Sequence, residues 1–370
     1  MSAPSAYLNY ASLGPLLPSV KRAVVDFLDL WQTGFSYYPT LSSVSDQVRQ
    51  RVADLIDTKP DDIALQPNVA TSFSLLVHAW HWEPGDEVVL LTEEFPSVSL
   101  PFVENQKKYG YRVRFITYTA FLQDPLGALA DVVTAKTRWV VMSWVGYMSG
   151  CVAPIGDILT YCRFRGIRLG VDATQGVGVM PMSMRQTPVD FWAASTYKGL
   201  FAPVGVSLLY VSVDLRGQLS AVMPGWLSAR DPSLMGYDHL DTPSGACRFE
   251  NGGRSLLSMV GVNAAVQTLG TYGWDAIWAQ TQDRRHALEQ GLSARGLSFF
   301  GGAGLARAGI LSVAHARGTE MGHAFAARRV TITHRNGLLR FSVHAFTKAS
   351  ELAYFWQVLD DVLAEISPKK

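Results

Sequence analysis

Short apolar runs alternate with helix-like segments along the first two-thirds of the chain. The apolar runs predict strands at residues 87–92, 112–119, 138–145, 167–173, 191–196 and 206–212. Several of them are almost continuously apolar, which is typical of parallel strands that are covered on both faces. The segments between them have apolar residues at i, i+3 and i+4, which indicates helices. This alternation predicts an α/β domain with a mostly parallel sheet and right-handed crossovers.

Near residue 254 the pattern changes. Two long helical patterns are followed by short strand patterns at 308–316 and 338–346 and by a closing helix. This order predicts a smaller α+β domain. We therefore predict a large α/β domain over residues 21–244 and a small domain over residues 245–370. The N-terminal segment, residues 1–20, belongs to the small domain.

Composition and charge narrow the class of protein. The 370 residues are 48% hydrophobic and 17% charged, and the net charge is +1. This balance is typical of a globular protein with a large interior and gives no electrostatic footprint for nucleic acid. No signal peptide pattern opens the chain, and the longest apolar runs are too short to span a bilayer. The three cysteines have no metal-like spacing. We predict a cytoplasmic protein without a metal site.

Residues 191–206, FWAASTYKGLFAPVGV, contain one cation, Lys198, among small and apolar residues. Lysine is rarely buried without a partner. Lys198 is therefore either a surface residue of a passing loop or an amine that a pocket holds for chemistry.

Other candidates lie where predicted strands end, at the edge of an open α/β sheet where ligands bind. Asp172 caps the next helix or faces a protonated ring nitrogen, and a metal is disfavoured because no comparable ligand is near. Asn68 and Thr71 open a helix, as an ordinary N-cap or as a phosphate cradle. Phe95 is a core residue or a stacking partner for a planar group. Arg340 is a solvated strand residue or a receptor for a carboxylate.

Eight segments of this chain together resemble the class V aminotransferase family of fold-type I enzymes that use pyridoxal 5′-phosphate (PLP). The resemblance spans residues 7 to 365. The segments, in order, are YLNYASLGPLLPSV, NVAT, EFPS, SWVGYMSG, VDATQGVG, STYKGLFAPVGV, RFENGG and LRFSVHAF. It implies a large domain with a seven-stranded, mostly parallel sheet, PLP as cofactor, and a homodimer with shared active sites. Phe95 and Tyr197 resemble kynureninase and isopenicillin N epimerase-like members more than cysteine desulfurases.

The resemblance also implies roles for individual residues. Lys198 forms the Schiff base and moves the α-proton. The cofactor-binding residues are Asp172 at the pyridinium nitrogen, Gln175 at the phenolic oxygen, Phe95 on the ring, and Ala70, Thr71, Ser195 and Tyr197 at the phosphate. The substrate-binding residues are Arg340, which receives the α-carboxylate, Ser12 and Tyr147. Gly253 stands where the family usually offers a threonine to the neighbouring subunit's phosphate, so only a backbone contact remains possible there.

Several reactions remain open. The loop before Arg340 contains no cysteine, which disfavours a desulfurase that forms a persulfide. We predict a PLP-dependent enzyme acting on a small amino acid, nominally an aminotransferase. A C–S lyase working by β- or γ-elimination and an amino-acid epimerase are the alternatives. A non-catalytic binding module with the same fold is the non-enzyme alternative, and the missing glycine fingerprint disfavours a nucleotide-dependent enzyme.

Overall fold

The computed structural model describes residues 5–335 and 337–366. The strands in these ranges are β1 (Ala6–Tyr7), β2 (Ile63–Gln66), β3 (Glu87–Leu91), β4 (Arg112–Ile116), β5 (Thr137–Ser143), β6 (Arg168–Asp172), β7 (Phe191–Ser195), β8 (Ser207–Val211), β9 (Ile310–Ala314), β10 (Val330–Thr331), β11 (Thr333–Arg335) and β12 (Leu338–Ser342). The helices are α1 (Pro18–Thr33), α2 (Tyr37–Leu55), α3 (Val69–Ala79), α4 (Pro96–Tyr109), α5 (Tyr118–Gln123), α6 (Pro125–Val132), α7 (Ile155–Phe164), α8 (Val213–Arg216), α9 (Leu256–Tyr272), α10 (Trp274–Ser293), α11 (Gly318–Ala327) and α12 (Ala349–Ile366).

Strands β2 to β8 form one seven-stranded sheet in the order β2-β8-β7-β6-β5-β3-β4. The predicted α/β architecture and its six predicted strands are confirmed. The seventh strand, β2, was not predicted, because its four residues are too few to give a distinct pattern. Strand β8 runs antiparallel to both of its neighbours, β2 and β7, whereas the other four neighbouring pairs of the sheet are parallel. Only residues 196–206 connect β7 to β8, too few for a helical crossover back to a parallel strand.

Apart from the edge strand β4, the strands of the sheet are buried on both faces, which explains why they are almost continuously apolar. In β3, Val89 and Leu91 belong to the core on one face, whereas Val88 and Leu90 belong to the core on the other. Neither pair is more than 2% exposed. A sheet that is covered on both sides leaves polar side chains only at the strand ends, and these ends therefore form the candidate site.

A three-stranded antiparallel sheet of order β11-β12-β9 forms a second core with α10, α11 and α12. The N-terminal segment joins this core, because β1 pairs in parallel with β10 and Leu8 packs in the same apolar cluster as Phe341. Helix α9 packs against α1 and α2 instead, and its buried side chains belong to the core of the large sheet. The boundaries at residues 20 and 244 stay a prediction. None of the helices described is long and apolar enough to cross a membrane.

Candidate active site

A cavity of about 570 Å³ opens at the carboxyl ends of the parallel strands. Most of the residues predicted from the sequence to form the site lie in its wall. These are Ala70, Phe95, Tyr147, Asp172, Gln175, Ser195, Tyr197 and Lys198. The sheet brings them together because each follows a strand or opens the helix after it. Thr71, Ser12, Arg340 and Gly253 lie outside this wall, and their positions are given below.

Lys198 lies in the connection from β7 to β8, and its side chain is buried, with 8% exposure. Its Nζ lies 5.5 Å from the centre of the Phe95 ring and 5.8 Å from that of Tyr197. Burial lowers the pKa of the Lys198 ammonium to about 8, and the charge of Arg340 lowers it further, against the opposing effect of Asp172. Of the two interpretations of this lysine, the structure supports an amine held in a pocket.

This lowered pKa predicts how fast a small amine-acylating reagent labels Lys198 in the protein without added ligand. Only the uncharged amine reacts, so the rate should rise about tenfold per pH unit below pH 8 and level off above it. Peptide mapping by mass spectrometry measures the labelling at Lys198. A rate that keeps rising tenfold per unit up to pH 10 would contradict the lowered pKa.

The N-terminal segment holds the loop that carries Lys198. The backbone N–H of Gly14 donates to the carbonyl of Tyr197 at 2.9 Å. A Cβ atom at Gly14 would lie 2.3 Å from the carbonyl oxygen of Lys198, so only glycine allows this approach. Gln175 is tied to the same segment, since its Nε2 donates to the carbonyl of Ala11 at 2.9 Å. The segment and the large sheet therefore meet at the cavity.

Asp172 ends β6 and is buried, with 5% exposure. Its Oδ1 accepts the backbone N–H of Thr174 at 2.9 Å. Burial raises the pKa of Asp172, whereas the hydrogen bonds from Thr174 and the charge of Lys198 lower it. The negative charge of Asp172 is therefore stabilised by the groups around it, namely Thr174 and the ammonium of Lys198. Within the described ranges, no group of three or more histidine, cysteine or carboxylate side chains is arranged to hold a metal ion.

A second buried carboxyl group, Glu94, lies beside this site and was not predicted. Its two oxygens accept the backbone N–H and the hydroxyl of Ser143, at 2.8 and 2.7 Å. Burial raises the pKa of Glu94 to about 7, and the charge of Asp172 raises it further, against the hydrogen bonds from Ser143. The sequence offered one signal for Glu94. It directly precedes Phe95 in the EFPS segment and so lies close to the end of a predicted strand.

The start of α3 faces the cavity through Asn68, Val69 and Ala70. The Oδ1 of Asn68 accepts the backbone N–H of Thr71 at 2.9 Å and its hydroxyl at 3.1 Å. Asn68 is thus an N-cap, as one interpretation of the sequence has it. The N–H groups of the first turn that precede Thr71 have no intrahelical acceptor. A helix N-terminus of this kind favours an anion.

Arg340 lies on β12, buried with 6% exposure. One of its terminal nitrogens donates to the carbonyl of Tyr147 at 2.8 Å, and the other donates to Ser12 Oγ at 2.6 Å and to Thr333 Oγ1 at 3.2 Å. Its Nε has no partner among the described residues. Burial and the charge of Arg335 lower the pKa of Arg340 to about 10, so the guanidinium stays charged at neutral pH.

Thr333 completes this network and was not predicted from the sequence. Its hydroxyl donates to Asn9 Oδ1 at 2.8 Å. It therefore links the N-terminal segment to the strand pair β11–β12, in which it lies directly opposite Arg340. No local pattern marks Thr333, because its position depends on the pairing of these two strands.

Gly253 is exposed and is not among the residues of this cavity wall, and a Cβ atom there would lie 3.1 Å from the hydroxyl oxygen of Tyr37. The three cysteines are also elsewhere. Cys151 and Cys162 are buried, and Cys247 lines a separate cavity of about 440 Å³. None of the three lies in the wall of the Lys198 cavity.

Comparisons with known proteins place the chain in a family. The family model described as Aminotransferase class-V matches residues 7–355. A probable cysteine desulfurase of Methanothermobacter thermautotrophicus is 28% identical over 273 residues, which are 72% of this chain and 67% of that protein. The isopenicillin N epimerase of Streptomyces clavuligerus is 27% identical over 183 residues, 49% of this chain and 46% of that protein.

Solved structures share the fold. C-DES with glycine covalently linked to its PLP cofactor superposes with a TM-score of 0.91 at 23% identity, covering 97% of each chain. The complex of the cystine C–S lyase C-DES with its product, cysteine persulfide, has a TM-score of 0.90 at 24% identity. It covers 97% of this chain and 98% of the other. The mostly parallel sheet flanked by helices is therefore that of PLP-dependent enzymes.

Proposed function

The chain belongs to the class-V aminotransferase family, whose members are PLP-dependent enzymes, and we propose that it is a C–S lyase acting on a small amino acid. The observation that carries this proposal is a desolvated lysine in a cavity that no cysteine reaches. Lys198 supplies the base for removal of an α-proton, whereas the sulfur of the substrate has no enzyme thiol to accept it. Sulfur therefore leaves with a product.

The residues of the cavity suit PLP. Its wall offers an amine at Lys198, a buried carboxylate at Asp172, an aromatic ring at Phe95 and a helix N-terminus at Ala70. These are the groups needed for an imine, a protonated ring nitrogen, a flat ring and a phosphate. Gln175, Ser195 and Tyr197 stay the proposed contacts of the phenolic oxygen and the phosphate. Thr71 can bind the phosphate, as proposed, only if its N–H or its hydroxyl gives up the hydrogen bond to Asn68 Oδ1.

The substrate end of the site is formed by Arg340. Its Nε is a buried donor without a partner among the described residues, and a substrate α-carboxylate supplies the acceptor. Ser12 and the carbonyl of Tyr147 hold the guanidinium in place by accepting its other N–H groups. We infer that this pair orients Arg340, and that Tyr147, packed edge-on against Phe95 at 5.4 Å between ring centres, limits the side chain of the substrate.

The chemistry needs a base close to the α-carbon and no bulk water. Lys198 has an uncharged amine above about pH 8 and therefore takes the α-proton. PLP, once bound, supplies the electron sink for the pair that this proton leaves behind. In the elimination, the bond between the β-carbon and sulfur breaks and its electron pair leaves on sulfur. Hydrolysis of the remaining fragment by one water gives pyruvate and ammonia.

Transamination has less support than elimination. An aminotransferase binds a second substrate, and many such acceptors are dicarboxylates that need a further cation. Lys198 is the one cation among the described residues of the cavity wall. The similar proteins also favour sulfur chemistry, since they include a probable cysteine desulfurase and a cystine C–S lyase. The aminotransferase assignment stays a prediction, as does epimerisation, which is the activity named for one relative.

A product assay tests the proposal. The purified enzyme with PLP is incubated with L-cysteine, L-cystine and L-alanine, with and without an added keto acid. We expect equal amounts of pyruvate and ammonia from cysteine or cystine without any keto acid, together with a sulfur-containing product. Reaction only in the presence of the keto acid would identify an aminotransferase. Inversion of configuration without pyruvate would identify an epimerase. Both results would overturn the proposed elimination.

Replacement of Arg340 by leucine is expected to raise KM by about 10-fold to 100-fold with a smaller effect on kcat. The lost charge-assisted hydrogen bonds are worth about 1.5–3 kcal/mol. Steady-state kinetics on the substrate found above measure the change. Arg340→Lys should recover only part of it, because an ammonium lacks the planar fork. Arg185→Leu, which removes an exposed arginine paired with Asp57, is the control. An unchanged KM in Arg340→Leu would exclude carboxylate binding by this residue.

We also propose that the enzyme is a homodimer with shared active sites. Helix α1 exposes Val25, Leu28, Leu30 and Trp31, which are between 43% and 50% exposed in the single chain. The family resemblance favours a second copy of this chain as the partner that covers these apolar residues. A backbone contact from Gly253 to the other subunit's phosphate is part of the same proposal. The cytoplasmic location also stays a prediction.

A further inference from the structure

The hydroxyl of Thr333 joins three groups around the guanidinium of Arg340. Its oxygen lies 2.8 Å from Asn9 Oδ1, 2.9 Å from Ser12 Oγ and 3.2 Å from a terminal nitrogen of Arg340. The one proton of this hydroxyl goes to the amide oxygen of Asn9. Toward Ser12 the Thr333 oxygen therefore accepts, and the hydroxyl proton of Ser12 is donated to Thr333.

These proton positions leave only acceptors facing the guanidinium. Ser12 Oγ accepts from a terminal nitrogen of Arg340 at 2.6 Å, and Thr333 Oγ1 accepts from the same nitrogen. Because the hydroxyl protons of Ser12 and Thr333 are donated to other residues, neither faces the cation. The carbonyl of Tyr147 accepts from the other terminal nitrogen at 2.8 Å. Three uncharged oxygens thus hold a cation that is 6% exposed.

This arrangement holds the cation without neutralising it. Within residues 5–335 and 337–366, the hydrogen bonds of the Arg340 guanidinium all go to uncharged oxygens and none goes to a carboxylate. A buried charge that has no opposite charge beside it is unfavourable, and an anionic ligand compensates it. The Nε donor, which has no partner among the described residues, is left for such a ligand. The orientation of the guanidinium then decides how well a carboxylate is bound.

We propose that Thr333 is a positioning residue that acts through Arg340 and holds its guanidinium in place for the carboxylate of the substrate. Thr333 contacts one terminal nitrogen directly, and it also holds Ser12, which contacts the same nitrogen. Its own proton ties the network to Asn9, whose backbone is fixed by a bridge to Ser342 at the end of β12. This inference rests on the carboxylate-binding role that we propose for Arg340.

Thr333→Val is the direct test, because valine has nearly the same shape but can neither accept from Arg340 nor donate to Asn9. The holoenzyme is assayed on the substrate found in the product assay, with L-alanine and L-alaninamide as competitive inhibitors. Alaninamide keeps the amine and the α-carbon of alanine but lacks its carboxylate. We expect KM and the inhibition constant of alanine to rise about 3-fold to 10-fold, as for one hydrogen bond. The kcat and the inhibition constant of alaninamide should stay the same.

Control variants separate this positioning role from a general loss of structure. Thr333→Ser keeps the hydroxyl and should restore the wild-type constants. Thr281→Val removes a fully buried hydroxyl on α10 that has no partner among the described residues, and it should leave all four constants unchanged. Thr333→Ala takes the place of the valine variant if that protein does not fold.

A double variant decides whether Thr333 acts through Arg340. In an Arg340→Leu background, Thr333→Val should raise KM no further, because no guanidinium is left to orient. Additive effects, or a wild-type alanine constant in both Thr333→Val and Thr333→Ala, would overturn the inference. Equal rises for alanine and alaninamide would show a merely structural role and would overturn it as well. If Arg340→Leu itself leaves KM and the alanine constant unchanged, the proposed role of Arg340 fails instead.

Discussion

Replacing Lys198 with alanine is expected to lower the rate of product formation by at least about 10⁴-fold, because the variant loses both its base and its covalent link to PLP. No other amine can take this place, since Lys198 is the one cation among the described residues of the cavity wall. The rate of pyruvate release from the best substrate measures the loss. Borohydride reduction of the wild-type holoenzyme, followed by peptide mapping, should place the cofactor label on Lys198.

Two variants separate this chemistry from loss of charge or of folding. Lys198→Arg keeps a cation but cannot form an imine, and it should be as inactive as the alanine variant. Lys136→Ala removes an exposed lysine and should leave the rate unchanged. Turnover within tenfold of the wild type in Lys198→Ala would exclude Lys198 as the catalytic residue. A cofactor label on another lysine would exclude it as the attachment site.

Replacing Asp172 with asparagine is expected to lower kcat by about 10²-fold to 10³-fold, as for removal of one preorganised electrostatic contact in a dry site. Asparagine has nearly the same shape but cannot carry the negative charge that keeps a ring nitrogen protonated. An unprotonated ring is a weaker electron sink, so the α-proton is harder to remove. Steady-state kinetics with saturating PLP measure the fall in kcat, and cofactor binding itself should weaken far less.

The matched control is Asp190→Asn, which changes an aspartate that lies just before β7. Asp190 accepts hydrogen bonds from Arg168 at 2.6 Å and from the backbone N–H of Leu169 at 2.8 Å. Its substitution should lower the melting temperature and leave kcat unchanged. If Asp172→Asn behaves like Asp190→Asn, Asp172 is a structural residue and not the partner of the ring nitrogen.

Much of the site follows from where polar residues interrupt apolar strands. Asp172 and Ser195 end continuous apolar runs, Lys198 follows three residues after Ser195, and a parallel sheet brings such ends to one edge. Phe95 follows a strand in the same way. The resemblance of eight such segments to a family of PLP-dependent enzymes indicated PLP chemistry before any contact was known. The nominal choice of an aminotransferase had no such basis, because transamination and elimination begin with the same residues.

Contacts between distant segments could not be read in this way. Glu94 and Thr174 stand in segments that the sequence marked, but their partners, Ser143 and Ser195, come from neighbouring strands. Strand β8 reverses direction because its connection to β7 is short, and the apolar pattern of β8 did not indicate this reversal. The position of the Arg340 guanidinium, whose Nε has no partner among the described residues, depends on the pairing of β11 with β12, which puts Thr333 opposite Arg340.

The sequence by itself determined the fold class, because apolar periodicity and the order of strand ends are properties of the chain alone. It also indicated the family and singled out Lys198, through the segments that resemble class V aminotransferases. Tertiary structure alone decided the state of these groups. Burial gives Lys198 a pKa near 8, and contacts across 328 residues join Arg340 to Ser12. Reactivity depends on desolvation and on through-space partners, and neither is encoded in local sequence.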